Sequence, residues 1–285
     1  MAQVDRDALT GTDTTGHEWD GIKELNTPLP KWWLYTFYAC ILWAFGYFIA
    51  MPAWPSLSNY TKGMLGYSSR ANLESEMQAV QASRAPWADR IAEASVEDVA
   101  KDPELLQYAM AGGKVIFADN CQPCHGSAGA GAPSYPVLAD DDWIWGGTLP
   151  AIYQTVKYGI RSTSDETRIS DMPAYGRDEL LEPAQIQAVA DYVMSLSGQG
   201  TASDAGKAVF DENCAACHGE DGKGLKDTGG PNLTDGIWLY KPGRDGVVAQ
   251  VTNPRHGVMP TWEGRLDDVS IKQVTVYVHA LGGGQ

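Results

Sequence analysis

The sequence predicts an all-α chain: one N-terminal membrane-crossing helix followed by two copies of a single small helical unit. Three observations carry this. Residues 32–54 contain no charged side chain, in a chain of 285 residues that is otherwise mostly polar. Residues 113–126 read GKVIFADNCQPCHG and return as GKAVFDENCAACHG at 206–219. Residues 185–198 (QIQAVADYVMSLSG) return as SIKQVTVYVHALGG at 270–283, and both stretches place apolar side chains at helical spacing.

Residues 1–31 carry three basic and six acidic side chains, too long and too acidic a lead for a cleaved signal peptide, and are expected to form a cytoplasmic segment. Residues 32–54 are expected to be a transmembrane helix. At about 1.5 Å per residue they reach across a bilayer core. Trp32, Trp33 and Tyr35 at one end, with Trp54 and Tyr60 at the other, suit the two interfaces. Lys23 and Lys31 before the span balance Lys62 and Arg70 after it, so charge alone does not orient it. Cys40, inside the span, is expected to face lipid or a neighbouring helix.

Residues 55–105 are polar and helix-compatible and read as a connecting arm, with Glu74, Glu76, Arg84 and Arg90 on faces that need no burial. Residues 106–199 and 200–285 are the two repeats, joined by QGTASD at 199–204. Leu138, Asp140 and Trp143 recur as Leu233, Asp235 and Trp238. Each repeat has a leading helix, a Cys-x-x-Cys-His motif, a glycine- and proline-rich middle, a Met-Pro pair and a closing amphipathic helix. Ile186, Val189, Ala190, Val193 and Leu196 form the apolar stripe of the first closing helix, and Ile271, Val274, Val278 and Leu281 that of the second. Gly113 and Phe117, like Gly206 and Phe210, are four apart on the leading helix, where the glycine admits a crossing helix; Tyr192 and Tyr277 are suitable partners from the closing helices.

The motifs Cys121-Gln122-Pro123-Cys124-His125 and Cys214-Ala215-Ala216-Cys217-His218 use four of the five cysteines. This is the attachment signature of c-type haem: two thioether bonds tether the porphyrin and the adjacent histidine ligates the iron. A zinc ribbon would separate its cysteine pairs by roughly 15–20 residues, whereas these motifs begin 93 residues apart. Neither motif follows a strand-like run, which disfavours a thioredoxin-like pair. A disulfide framework is disfavoured by a chain long enough to build apolar cores. The expectation is therefore two covalently bound haem c groups. Haem is attached outside the bacterial inner membrane, which places both repeats on the periplasmic side of a single-pass inner-membrane protein.

Iron that only transfers electrons needs a sixth ligand as well. Met172 and Met259 stand before proline at equivalent points of the two repeats, 47 residues after His125 and 41 after His218. They are the candidate distal ligands. Chain order favours Met172 for the His125 haem and Met259 for the His218 haem, and the sequence leaves an exchange of methionines between the repeats open. Met194 and its counterpart His279 lie on the inward face of the closing helices and read as core. His256, three residues before Met259, is a competing ligand, and His17 is remote.

The repeats resemble the cytochrome c fold, in which terminal helices cross over a central haem. The leader His17, Glu18, Trp19, Asp20, Gly21, Ile22, then Glu24, Leu25, Asn26, Pro28, Leu29, Pro30, Trp32 and Trp33, resembles that of the dihaem subunit, subunit III or P, of C-class (cbb-type) haem–copper cytochrome c oxidases. Gly66, Tyr67 and Ser68, and Ala85, Pro86 and Trp87, extend the similarity. The resemblance implies a membrane-anchored relay without an oxygen site of its own. Its electron source would be a soluble or membrane-tethered cytochrome c, and its partners a monohaem cytochrome c subunit and the haem–copper catalytic subunit. A dihaem peroxidase, which needs an open sixth position, and a dihaem anchor cytochrome of another respiratory complex are the alternatives.

The formal net charge of −15 argues against nucleic acid and against an anionic lipid surface as ligands. Of 21 basic and 36 acidic side chains, only 3 and 6 precede position 55. The acidic excess lies in the body of the protein, where it favours a basic electron donor.

Overall fold

The computed structural model describes residues 4–282; residues 1–3 and 283–285, including Gly283 of the second repeat, lie outside the described residues. The chain divides into two units, Met1–Gln81 and Ala82–Gln285.

The first unit opens with a feature the all-α expectation lacks, a hairpin of β1 (Thr14–Trp19) and β2 (Ile22–Leu25) paired antiparallel. Its turn is Asp20-Gly21, with φ of 48° and 85°. That dipeptide supplies the two positive-φ positions that a two-residue hairpin loop demands. Thr14 is buried beneath the preceding segment: its backbone N–H donates to Asp5 O at 2.7 Å, and its hydroxyl accepts from Asp5 N at 3.2 Å.

Helix α1 spans Lys31–Ala50, four residues shorter at its C-terminus than the expected span 32–54. Met51 has extended backbone (φ −111°, ψ 162°), as a residue preceding proline must, and Pro52 ends the helix there. Its 20 residues still reach about 30 Å. No side chain on it is buried within the chain, so the apolar surface, Cys40 included, faces outward all round. By length and composition this helix can cross a membrane.

Helix α2 (Ser69–Glu93) forms about half of the connecting arm and carries Pro86 internally. In the second unit α3 (Val96–Lys101) is capped by Ser95, and α4 (Pro103–Asn120) by Asp102, whose carboxylate accepts from Glu104 and Leu105 N–H. Then follow α5 (Gln122–His125), a 3₁₀ turn (Ser127–Gly129), α6 (Leu149–Tyr158), α7 (Pro183–Leu196), α8 (Asp204–Asn213), α9 (Ala215–His218), α10 (Arg244–Thr252) and α11 (Asp268–His279).

The helices pack across the repeats. The leading helix of the first repeat, α4, crosses the closing helix of the second, α11, which also covers α6 and α3; α7 of the first repeat packs on α8 and α10 of the second. Both crossings use the glycines that the sequence singles out. A Cβ on Gly113 would lie 2.3 Å from Gln273 O, and one on Gly206 2.3 Å from Ala188 O. Phe117 meets Tyr277 at 5.4 Å between ring centres, and Phe210 meets Tyr192 at 5.2 Å. The division between residues 199 and 200 therefore follows the sequence repeat, while the cores divide the helices differently. The physical reason is the joint between α7 and α8: a connection of seven residues turns one helix directly onto the next. With α7 taken by α8, α4 is left to α11.

Two cores result. One holds Phe117, Ile152, Val156, Ile271, Val274 and Val278; the other holds Ile186, Val189, Val193, Val209, Phe210, Val247 and Val251, with Met194. A satellite core of Ile91, Val99, Leu105, Ala109 and Val276 fastens the end of α2 beneath α3 and α4.

Candidate haem sites

The two motif loops are built alike. His125 N and His218 N donate to Cys121 O and Cys214 O (2.9 and 3.0 Å), so each motif closes one helical turn that puts both cysteines and the histidine on one side. The turn stops at Gly126 and Gly219, whose φ of 74° and 78° suits glycine. Gly131 N and Gly224 N then return to the histidine carbonyls at 2.7 Å.

Each imidazole is oriented by a proline carbonyl: His125 Nδ1 lies 3.2 Å from Pro136 O and His218 Nδ1 3.0 Å from Pro231 O. A carbonyl only accepts, so Nδ1 carries the proton and Nε2 keeps its lone pair for a metal. Burial lowers the pKa of both histidines, against a smaller opposing effect of those hydrogen bonds, which favours the neutral, ligating form. Burial also pushes the Cys121 and Cys214 thiols up to about 11. Unlinked, they stay protonated near neutral pH.

The methionines occupy exchanged positions. Met259 packs into the core that contains Phe117, Cys121, Leu138 and Trp143, beside the His125 motif. Its backbone is paired with the end of α6: Met259 N donates to Ile160 O and Ile160 N to Met259 O, both at 3.0 Å. Met172 packs into the core that contains Phe210, Cys214, Leu233 and Trp238, beside the His218 motif. The residues after it dock there too, through Tyr175 Oη donating to Asn213 O at 2.6 Å and Arg177 N to Thr252 O at 2.9 Å. His256 is exposed and lines a shallow cavity with Met172 rather than Met259. Met194 is buried, His279 is half-buried, and His17 lies on the hairpin.

These residues suit haem c. Each site offers a cysteine pair, an imidazole with Nε2 left to a metal, and a thioether packed into the same core as the first cysteine. Among the described residues, the buried N–H groups Arg168 Nε and Trp238 Nε1 find no acceptor. Buried donors of this kind cost free energy unless satisfied, and a prosthetic group bearing carboxylates supplies acceptors.

The repeats also meet through Asp142 and Asp235, which share a hydrogen bond. Burial, then this bond and the charges of Asp235 and Asp140, raise Asp142 from an ordinary 3.8 to about 7, with Asn232 acting the other way. A carboxyl raised on folding favours the folded state when protonated. Its contribution is intact below about pH 4 and lost as pH climbs towards 7. Asp142→Asn is accordingly expected to match the parent's melting temperature at pH 4 and exceed it at pH 8. Parallel melting curves at both pH values would refute the carboxyl pair.

Comparison with known proteins accounts for nearly the whole chain. Residues 11–58 match the N-terminal domain of cytochrome oxidase-cbb3, FixP; residues 110–197 match cytochrome c; residues 201–278 match cytochrome c oxidase, cbb3-type, subunit III. The cbb3-type cytochrome c oxidase subunit FixP of Bradyrhizobium sp. (strain ORS 278) is 53% identical over 98% of both chains. FixP of Azorhizobium caulinodans is 54% identical over 98% of this chain and 96% of its own. Subunit CcoP of Azospirillum brasilense is 50% identical over the full length of both. With its two cytochrome c segments, two covalently bound haem c groups and an N-terminal membrane helix, this chain belongs to the FixP/CcoP family, subunit III of the cbb3-type cytochrome c oxidases.

Proposed function

We propose that the chain relays electrons from a donor cytochrome c to the monohaem cytochrome c subunit and haem–copper catalytic subunit of a cbb3-type oxidase in the bacterial inner membrane, with its haem-bearing body in the periplasm. Haem c, when bound, supplies an iron that alternates between the ferric and ferrous states. Cys121 and Cys124, and Cys214 and Cys217, hold it by thioether bonds; His125 and His218 serve as proximal ligands. Met259 closes the site of His125 and Met172 that of His218. Proximity in the two cores supports this exchanged pairing.

The observation that carries the relay reading is the packing of a methionine into the same apolar core as the first cysteine of each motif; a histidine and a thioether would then both be at hand to hold the iron, which suits electron transfer rather than substrate binding. A thioether opposite histidine also holds the potential high, suited to accepting electrons from another cytochrome c. The acidic body would attract a basic donor.

The test uses the purified complex. Copurification with a multispan haem–copper subunit is expected. Met259→Leu should lower one of the two midpoint potentials and slow oxygen uptake driven by donor cytochrome c, while the haem stays attached. An unchanged redox titration would remove Met259 from the ligand set, and a chain that purifies free of any haem–copper subunit would remove the relay reading.

A further inference from the structure

Two irregular segments, residues 168–172 (RISDM) and 255–259 (RHGVM), each end on a candidate distal methionine. Arg161, three residues past the end of α6, lies between them. Its Nε donates to Gly257 O and its Nη1 to Ser170 O, both at 2.7 Å. Gly257 is the second residue before Met259, and Ser170 the second before Met172. One guanidinium thus holds the same point of both approaches.

The surroundings fix it in place. Its side chain is 24% exposed, and the Asp171 carboxylate, 3.8 Å away, balances the charge. Its backbone N–H donates to Arg168 O at 2.8 Å, and its φ of 51° places a non-glycine residue in the left-handed region. The surrounding bonds hold that conformation. The second repeat has no equivalent. Arg255 stands three residues past α10 as Arg161 does past α6, but it lies over the Tyr240 ring at 5.2 Å.

We propose that Arg161 is a positioning residue shared by the two haem sites: it sets both methionine-bearing segments at once, so that the two distal ligations tighten or loosen together. The proposal rests on the reading of Met172 and Met259 as distal ligands. Charge-assisted bonds from a planar, forked donor are strong and directional. The carbonyls they hold belong to irregular chain, which has no regular hydrogen-bond ladder to fix the thioethers.

The experiment uses the full chain with both haems attached and reads the near-infrared methionine-to-ferric-iron charge-transfer band together with a redox titration. Arg161→Gly removes the guanidinium at a backbone position that glycine adopts freely; Arg161→Lys keeps the charge and a single donor direction. Arg161→Gly is expected to weaken the band of both haems and lower both midpoint potentials, with Arg161→Lys intermediate. Wild-type potentials and band in Arg161→Gly, or a change confined to one haem, would overturn the proposal. If Arg161→Gly does not accumulate, Arg161→Lys decides, by a smaller shift of both haems or by none. Met172→Leu and Met259→Leu are measured alongside. Where each removes the band of one haem, the ligand reading stands and the Arg161 variants test the role of Arg161 alone; where neither does, the ligand reading has failed and takes the proposal with it.

Discussion

A chain ended after Gln199 is expected to attach haem at Cys121 and Cys124 yet show neither the methionine charge-transfer band nor a cooperative unfolding transition. Such a fragment keeps one whole sequence repeat and loses half of each core. Without α11, the partners of Phe117, Ile152 and Val156 are gone. Ile271, Val274, Val276 and Val278 are each at most 4% exposed. Burial of such side chains is worth about 1.5–3 kcal/mol apiece, roughly 6–12 kcal/mol together, against a domain stability of about 5–15 kcal/mol. Met259, which packs beside Cys121, leaves with them. The retained α7 would in turn present Ile186, Val189 and Val193 to water for want of α8. Residues 200–285 supplied as a second polypeptide should restore the band when the two are produced together. Near-infrared absorption and thermal melting of the fragment check the prediction: a cooperatively folding, methionine-ligated cytochrome in this chain without residues 200–285 would show that the first repeat is self-sufficient.

What the sequence tells and withholds here follows from the range of each interaction. The Cys-x-x-Cys-His turns, Gly113 with Phe117 and Gly206 with Phe210 are local patterns with one physical use each, and both glycines admit the crossing helix expected there. The repeat itself hides the exchange. Because α7 and α11 carry equivalent stripes, either satisfies the groove around either glycine, and the stripe says nothing about which helix comes. The short joint between α7 and α8 is the one sequence signal that favours the observed partner. The N-terminal hairpin was legible in Asp20-Gly21, a turn dipeptide between Trp19 and Ile22, but the surrounding segment is too polar for an alternating pattern to mark it as strand. Arg161 and Lys272 were not legible at all. A long basic side chain reads as solvated surface until the fold brings backbone carbonyls to it from distant parts of the chain.

Lys272→Met is expected to destabilise the haem-bearing body by about 3–5 kcal/mol, the usual cost of removing one partner from a buried charge network. The lysine sits within α11, only 9% exposed. Its Nζ donates to Ile91 O, Ala92 O and Ala94 O at 3.1, 2.9 and 2.8 Å and lies 3.2 Å from the Asp268 carboxylate. Those carbonyls close the C-terminal end of α2, where a helix has unpaired acceptors and the negative end of its dipole. The counterpart in the first closing helix, Gln187, instead accepts from Arg244 Nη1 at 2.6 Å, so the cap belongs to one repeat only. Methionine fills the volume of the lysine stem but donates nothing, leaving the α2 carbonyls without their donor. For a body of this size, a loss of about 3 kcal/mol lowers the melting temperature by roughly 6–12 °C. Hydrogen exchange should show residues 82–93 opening ahead of the two cores, while haem attachment and the methionine band persist. A melting temperature within a degree of the parent would mean that the ammonium carries no net weight there, and that α2 is held by the apolar contacts of Ile91 and its neighbours alone.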